Sequence, residues 1–289
     1  MRDKWVLITG ATGGIGLATA IGLARKNARL AVVGRNAAAG SRAVEQLLAN
    51  GAPEAEFWQA DLSSQTEIRR LAADFRARHD HLDVLLNNAG GFFPERRESV
   101  DEIEMTLALN QIAPFLLTYL LRPLLTQSRP SRVVNVNSGA HRMAKPPFDH
   151  DPQWRNSYHP FRAYAQAKLI NLLWSYELSR VLKDTGITVN ALHPGVAYTE
   201  LTKGLPTWMR LYIQTTKWRN TLERAAETSI YLASSDAVAA VSGLYFVNRK
   251  PAQSSRWTYD RILANNAMDL SRGLTGLLRG EQSIGAVTA

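Results

Sequence analysis

The chain has 289 residues, 45% of them apolar and 20% charged, and no cysteine. That composition suits one sizeable α/β core and excludes disorder, disulfides, thiolate metal sites and cysteine nucleophiles. The formal charge is +9 and the pI about 9.9; because the basic residues are scattered, the excess reads as a solvated surface that also attracts an anionic cofactor, with no nucleic acid partner.

Short β-branched runs alternate with helical patterns, the signature of βαβ units and a parallel sheet. Residues 1–4 leave no room for a signal peptide before the first apolar run, and no apolar stretch reaches the length of a span. We therefore expect a cytoplasmic protein without an integral membrane segment. Strands are predicted at 5–9, 30–33, 56–60, 84–86, 132–137, 187–192 and 243–247. Helices are predicted at 15–26, 39–49, 65–78, 100–120, 160–183 and 222–234. Ser64 followed by Glu67, and Ser99 followed by Glu102, read as capping boxes that open the third and fourth helices. Pro160 suits a first helical position, and Gly186 is placed to end that helix. The fold class that follows is α/β: a three-layer, doubly wound parallel sheet of about seven strands with helices on both faces, each crossover right-handed.

Between the first strand and the first helix stands Thr9-Gly10-Ala11-Thr12-Gly13-Gly14-Ile15-Gly16. Glycines there permit a tight turn and let the backbone approach a pyrophosphate, while the helix N-terminus offers free N–H groups and partial positive charge. Gly10, Thr12, Gly13, Gly14, Ile15 and Gly16 are therefore candidate cofactor-binding residues. The second strand ends in Gly34-Arg35-Asn36, where a carboxylate would favour NAD by binding the ribose 2′-hydroxyl. Arg35, with Asn36 beside it, instead suits a 2′-phosphate, so NADP(H) is the expected cofactor.

The glycine turn, Asn87-Asn88-Ala89-Gly90, Ser138, Tyr164-Ala165-Gln166-Ala167-Lys168 and Pro194-Gly195 occur in one order. Together they resemble the short-chain dehydrogenase/reductase family over nearly the whole chain. Gly34-Arg35-Asn36, the run from Val133 to Ser138 with Ala140-His141, and Leu192-His193-Pro194-Gly195 are closest to its retinol dehydrogenase and WW-domain oxidoreductase branch. Asn137 departs from that branch, which usually has serine there. The resemblance implies a Rossmann fold and hydride transfer between NADP(H) and a hydrophobic carbonyl or alcohol. It also implies that Asp61 and Leu62 line the adenine pocket and that Asn88, Ala89 and Gly90 leave room for the adenine ribose. Pro194, Gly195, Val196 and Thr199 would pass the nicotinamide and pyrophosphate. Family members form dimers or tetramers, so a homodimer or homotetramer is the expected assembly.

Tyr164 and Lys168 lie four residues apart, on one face of a helix. A neighbouring ammonium favours the phenolate and lowers the tyrosine pKa, which suits general acid–base work on an alcohol or carbonyl. The resemblance gives Lys168 a second task at the nicotinamide ribose. Ser138, just after a strand, can hydrogen-bond the reacting oxygen. Asn110 falls late in its helix, and its family counterpart supports a proton relay through the lysine. Residues 196–222, rich in Leu, Trp and Tyr, are expected to form a lid over an apolar substrate, on a single domain of residues 1–279 with a frayed tail at 280–289. His141, His150 and His159 lack a fixed metal spacing and read as surface histidines. The alternative function is a non-catalytic NADP(H)-binding regulatory protein.

Overall fold

The computed structural model describes residues 1–148, 150–195 and 221–277. Val196, Thr199, nearly all of the expected lid and the tail at 280–289 lie outside them.

Residues of β1 (Trp5–Thr9) alternate in direction. Trp5 and Leu7 enter one apolar layer, and Val6 and Ile8 enter another on the opposite face. Both faces are thus dry, which explains an uninterrupted apolar run where a half-exposed strand would alternate. The first layer packs beneath α3 (Gln65–Arg78) and α5 (Ala113–Gln127); the second packs beneath α1 (Gly14–Ala24), α2 (Ala37–Ala49) and α7 (Leu222–Ser234).

The other strands are β2 (Arg29–Gly34), β3 (Ala55–Gln59), β4 (Val84–Asn87), β5 (Ser131–Val136), β6 (Ile187–His193), β7 (Tyr245–Val247) and β8 (Lys250–Pro251). The sheet runs β3-β2-β1-β4-β5-β6-β7-β8 and is parallel except for β8, which pairs antiparallel with β7. This is the expected three-layer Rossmann architecture with eight strands instead of about seven. From β1 the chain builds outward to β2 and β3, then returns to place β4 on β1's other side. That reversal opens a crevice beyond the carboxyl ends of β1 and β4, where doubly wound sheets bind ligands.

The fourth helix departs most from expectation. Ser99 opens no helix: its Oγ accepts from the N–H groups of Asp101 and Ile103, and Glu102 adopts φ 58°. The helix begins later, as a short turn α4 (Met105–Leu107) capped by Glu104, whose carboxylate accepts from Thr106 N at 2.8 Å and Leu107 N at 2.9 Å. Burial raises the Glu104 pKa, partly offset by those same bonds. A π-helical turn, Ala108–Ile112, then carries Asn110 into α5, so Asn110 sits near the helix start and not late in it. The Ser64 cap forms, with its hydroxyl accepting from Glu67 N, but Glu67 turns to Arg70 at 2.8 Å instead of back to Ser64.

The long helix α6 (Pro160–Val181) runs over β5 and β6 and stops short of residue 183. Gly186, at φ 80°, lies in the turn beyond it. Its outer flank is covered by α8 (Arg261–Thr275), an element absent from the sequence expectations.

Candidate functional site

The crevice is a cleft of about 740 Å3. Its walls come from the β1–α1 turn, the ends of β2, β3, β4, β5 and β6, and one face of α6. It brings together Gly10, Thr12, Gly13, Gly14, Ile15, Gly16, Arg35, Asp61, Leu62, Asn88, Ala89, Gly90, Ser138, Tyr164, Lys168, Pro194 and Gly195. Among the described residues, two sequence candidates do not line it. Asn36 caps α2, its Oδ1 accepting from Ala39 N at 2.9 Å. Asn110 lies behind Gly90.

The β1–α1 turn suits a pyrophosphate by its backbone. Gly10 and Gly14 adopt φ 64° and 57°, the left-handed region that costs glycine least. Gly13 precedes α1 in extended conformation with no side-chain cap, leaving first-turn N–H groups free, and a Cβ added there would meet nothing within 4 Å. Gly16 is the opposite case: a Cβ would lie 2.4 Å from Gly10 O and 2.5 Å from Asn88 Nδ2. Asn88 holds the turn by donating to Thr9 O at 2.8 Å and Gly10 O at 3.2 Å, and Thr9 Oγ1 accepts from the N–H groups of Asn88 and Ala89. Arg35 stands exposed at the end of β2. Asp61, at the end of β3, accepts from Ser63 N and Oγ through one oxygen.

At the other end, Ser138 Oγ accepts from Ala140 N at 3.2 Å, and the Ser138 hydroxyl stands near enough to the Tyr164 phenol to oppose the rise of its pKa. The Tyr164 ring packs edge-to-face on Phe92, with centroids 5.8 Å apart. Lys168 is buried and donates from Nζ to Val136 O at 3.0 Å. Its ammonium lies 5.8 Å from the centre of the Tyr164 ring. The expected lowering of the tyrosine pKa is not expressed here: burial pushes Tyr164 up to about 12, with Ser138 opposing, and burial brings Lys168 down to about 8. Desolvation governs both groups, and the amine donates to a backbone carbonyl instead of to the phenol.

Asn110 Nδ2 donates to Gly91 O and Thr106 O, both at 2.8 Å, while its Oδ1 is buried without a partner. A Cβ added at Gly90 would lie 2.6 Å from that oxygen and 3.7 Å from Lys168 Nζ, so glycine keeps open the space between acceptor and amine. The glycine cradle, the uncapped helix start and this orphaned acceptor together fit a bound dinucleotide.

Two histidines to which sequence reasoning gave no role stand at or behind the site. His193, just before Pro194, lines the cleft, and its Nδ1 accepts from Gly139 N at 3.3 Å, so Nε2 carries the proton. His141 is 0% exposed, contrary to the surface reading, whereas His150 and His159 are exposed. His141 Nε2 accepts from Ser255 N at 3.0 Å, so Nδ1–H donates to Ser138 O at 2.7 Å. Adjacency to Pro194-Gly195 and to Ser138 was the available signal for both. Among the described residues no cluster could hold a metal, and no helix is long and apolar enough to cross a membrane.

Burial, then the nearby His141 and Arg142, depress His193 to about 4 from the ordinary 6.5. A base whose folded pKa is lowered loses stability as pH falls below its unfolded value, because the unfolded chain binds the proton first. Stability to urea should therefore fall between pH 6.5 and 4.5, with about 2–3 kcal/mol of the loss traceable to His193. His193→Gln should flatten that part of the slope; an unaltered slope would show that His193 protonates freely in the folded protein.

Comparison with known proteins places this architecture. The family profile described as short chain dehydrogenase matches residues 4–210. The chain belongs to that family of oxidoreductases. Within it the chain falls in the retinol dehydrogenase branch. It is 36% identical to human retinol dehydrogenase 14, over 96% of this chain and 88% of that protein. It is 35% identical to bovine dehydrogenase/reductase SDR family member 13, over 98% of this chain and 76% of that protein. Among solved structures, an uncharacterized protein from Mycobacterium paratuberculosis superposes with a TM-score of 0.77 at 31% identity, covering 95% of this chain and 94% of that one. The Pseudomonas aeruginosa RhlG/NADP complex gives 0.70 at 28% identity, over 85% and 94%.

Proposed function

We propose that the protein is an NADP(H)-dependent oxidoreductase that interconverts a hydrophobic carbonyl compound and its alcohol. The carrying observation is that Ser138, Tyr164 and Lys168 share one cleft with an uncapped, glycine-lined helix start. A bound nicotinamide dinucleotide supplies the hydride donor or acceptor. Gly13 to Gly16 would hold its pyrophosphate and Arg35 its 2′-phosphate. Asp61 and Leu62 would bound the adenine, and Pro194 and Gly195 would border the nicotinamide.

The chain's own residues manage the proton. The Ser138 hydroxyl fixes the reacting oxygen, and Tyr164 donates its phenolic proton as that oxygen gains charge. The phenolate left behind is stabilised by the nearby Ser138 hydroxyl and the Lys168 ammonium. A phenol whose pKa stands at about 12 is protonated at neutral pH, the form required for carbonyl reduction. Phe92, Leu109, Met143 and Phe161 give the cleft apolar walls, which supports an apolar substrate. Several relatives are named retinol dehydrogenases, so a long unsaturated aldehyde or alcohol is the first substrate to try.

The test is NADPH and NADH turnover on a panel of ketones, aldehydes and alcohols. Carbonyl-dependent oxidation of NADPH is expected. NADPH binding without turnover of any member would overturn the assignment in favour of a regulatory, cofactor-sensing protein. Arg35→Ala should raise the NADPH KM about tenfold or more and leave that for NADH nearly unchanged, because a charge-assisted bond to phosphate contributes about 1.5–3 kcal/mol. An unchanged ratio of the two constants would remove Arg35 from cofactor selection.

A further inference from the structure

Two successive residues at the end of β5 grip α6, and the next one faces it. Val136 O accepts from Lys168 Nζ at 3.0 Å. Asn137 Nδ2 donates to Lys168 O at 2.9 Å and to Asn171 Oδ1 at 2.9 Å. Ser138 faces the Tyr164 phenol and favours its charged form. Asn137 Oδ1 turns back to accept from Ser138 N at 2.7 Å. The Asn137 amide thus uses both donor hydrogens and its oxygen, and the residue is 2% exposed. Its orientation is fixed by its partners: reversed, the NH2 would face another N–H, and the oxygen would face two acceptors. Asn171, also 2% exposed, carries the link onward by donating from Nδ2 to Asn110 O at 3.1 Å.

We propose that Asn137, coupled to Asn171, is a positioning residue that sets the spacing between the Ser138 turn, the Tyr164–Lys168 face of α6 and the Asn110 turn. The inference rests on the oxidoreductase reading above. Asn137 has no free polar atom for a ligand and acts through its neighbours. A serine there has one hydroxyl hydrogen and a shorter reach, so it cannot satisfy Ser138 N, Lys168 O and Asn171 Oδ1 together. Buried amide networks of this kind hold geometry because each unmade bond leaves a desolvated group without a partner. Misplacement of reacting groups by about 1 Å can cost about 100-fold in rate.

The test uses the full chain with Asn137→Ser, Asn137→Ala, Asn171→Ala and the double alanine variant. With NADPH and the best carbonyl substrate, kcat should fall about 10- to 100-fold, while the NADPH dissociation constant stays within about twofold. The double variant should fall little further than Asn137→Ala, because both changes break one link. A second readout needs no turnover: the 13C resonance of Lys168, assigned with Lys168→Met, should titrate near 8 in the parent chain and higher in Asn137→Ser as water reaches the amine. If Asn137→Ala does not fold, Asn171→Ala breaks the same link from the other side and is read in the same way. A folded Asn137→Ser or Asn171→Ala chain with parental kcat and Lys168 titration would overturn the proposal. A parent chain inactive across the panel would overturn the proposed function and leave the titration to decide the positioning role.

Discussion

Tyr164→Phe should lower kcat/KM about 10²- to 10⁴-fold, the usual worth of a positioned general acid or base. NADPH binding should be almost unchanged. The substitution removes one oxygen and leaves the ring, so the edge-to-face contact with Phe92 survives and α6 keeps its seat. What disappears is the proton and the oxygen that stands beside the Ser138 hydroxyl. Steady-state turnover beside equilibrium titration of NADPH separates these effects. Parental turnover in the variant would show that the proton comes from another group, and the mechanism would have to be rebuilt around it.

Gly16→Ala should damage the fold and the cofactor site together. The added methyl would stand 2.4 Å from Gly10 O, 2.5 Å from Asn88 Nδ2 and 2.9 Å from Ala11 Cα. Two of those atoms are backbone, and the third belongs to the side chain that holds the turn. Overpacking of this kind costs about 1–3 kcal/mol, and the displaced turn can no longer present its N–H groups. Gly13→Ala provides the contrast, since its Cβ would enter open space. The Gly13 variant should melt near the parent temperature and keep the stabilisation that NADPH confers, because its methyl meets no protein atom and the backbone there is extended. Thermal melts with and without NADPH distinguish the two. Equal NADPH stabilisation in the parent and both variants would mean that the dinucleotide does not rest on this turn.

Much of the architecture was legible because its causes are local and periodic. The buried strands β1, β2 and β4 are short β-branched runs, and α3 begins at Ser64 as its cap predicts. Ser99 shows the limit of that logic. The spacing Ser-x-x-Glu is present, but Glu98 bridges to Glu104 across a turn, and the buried Glu104 carboxylate takes the cap five residues after Ser99. A local signature cannot anticipate which carboxylate the tertiary structure buries. β8 spans only two residues, one of them proline, so no alternation could reveal it. For α8 the signal existed: Asp260 caps its start, and Leu263, Ala264, Ala267 and Met268 follow helical spacing. At the site, motif residues were readable from their order along the chain. The roles of His141 and Asn137 were not, because their partners Ser255 and Asn171 are distant in sequence and become neighbours only in the fold.

The cover that α8 gives to the tyrosine helix also bears on biosynthesis. Leu263, Ala264 and Ala267 pack with Ala165, Leu169, Ile170 and Leu173, while Gln111 donates to Ser271 Oγ and Arg69 to Thr275 O. A nascent chain emerging from the ribosome can assemble β1 to β4 early, but this flank of α6 stays bare until residues 261–275 have been translated. An apolar face left bare during synthesis is prone to aggregate, so that interval is when the chain most needs a chaperone's shelter.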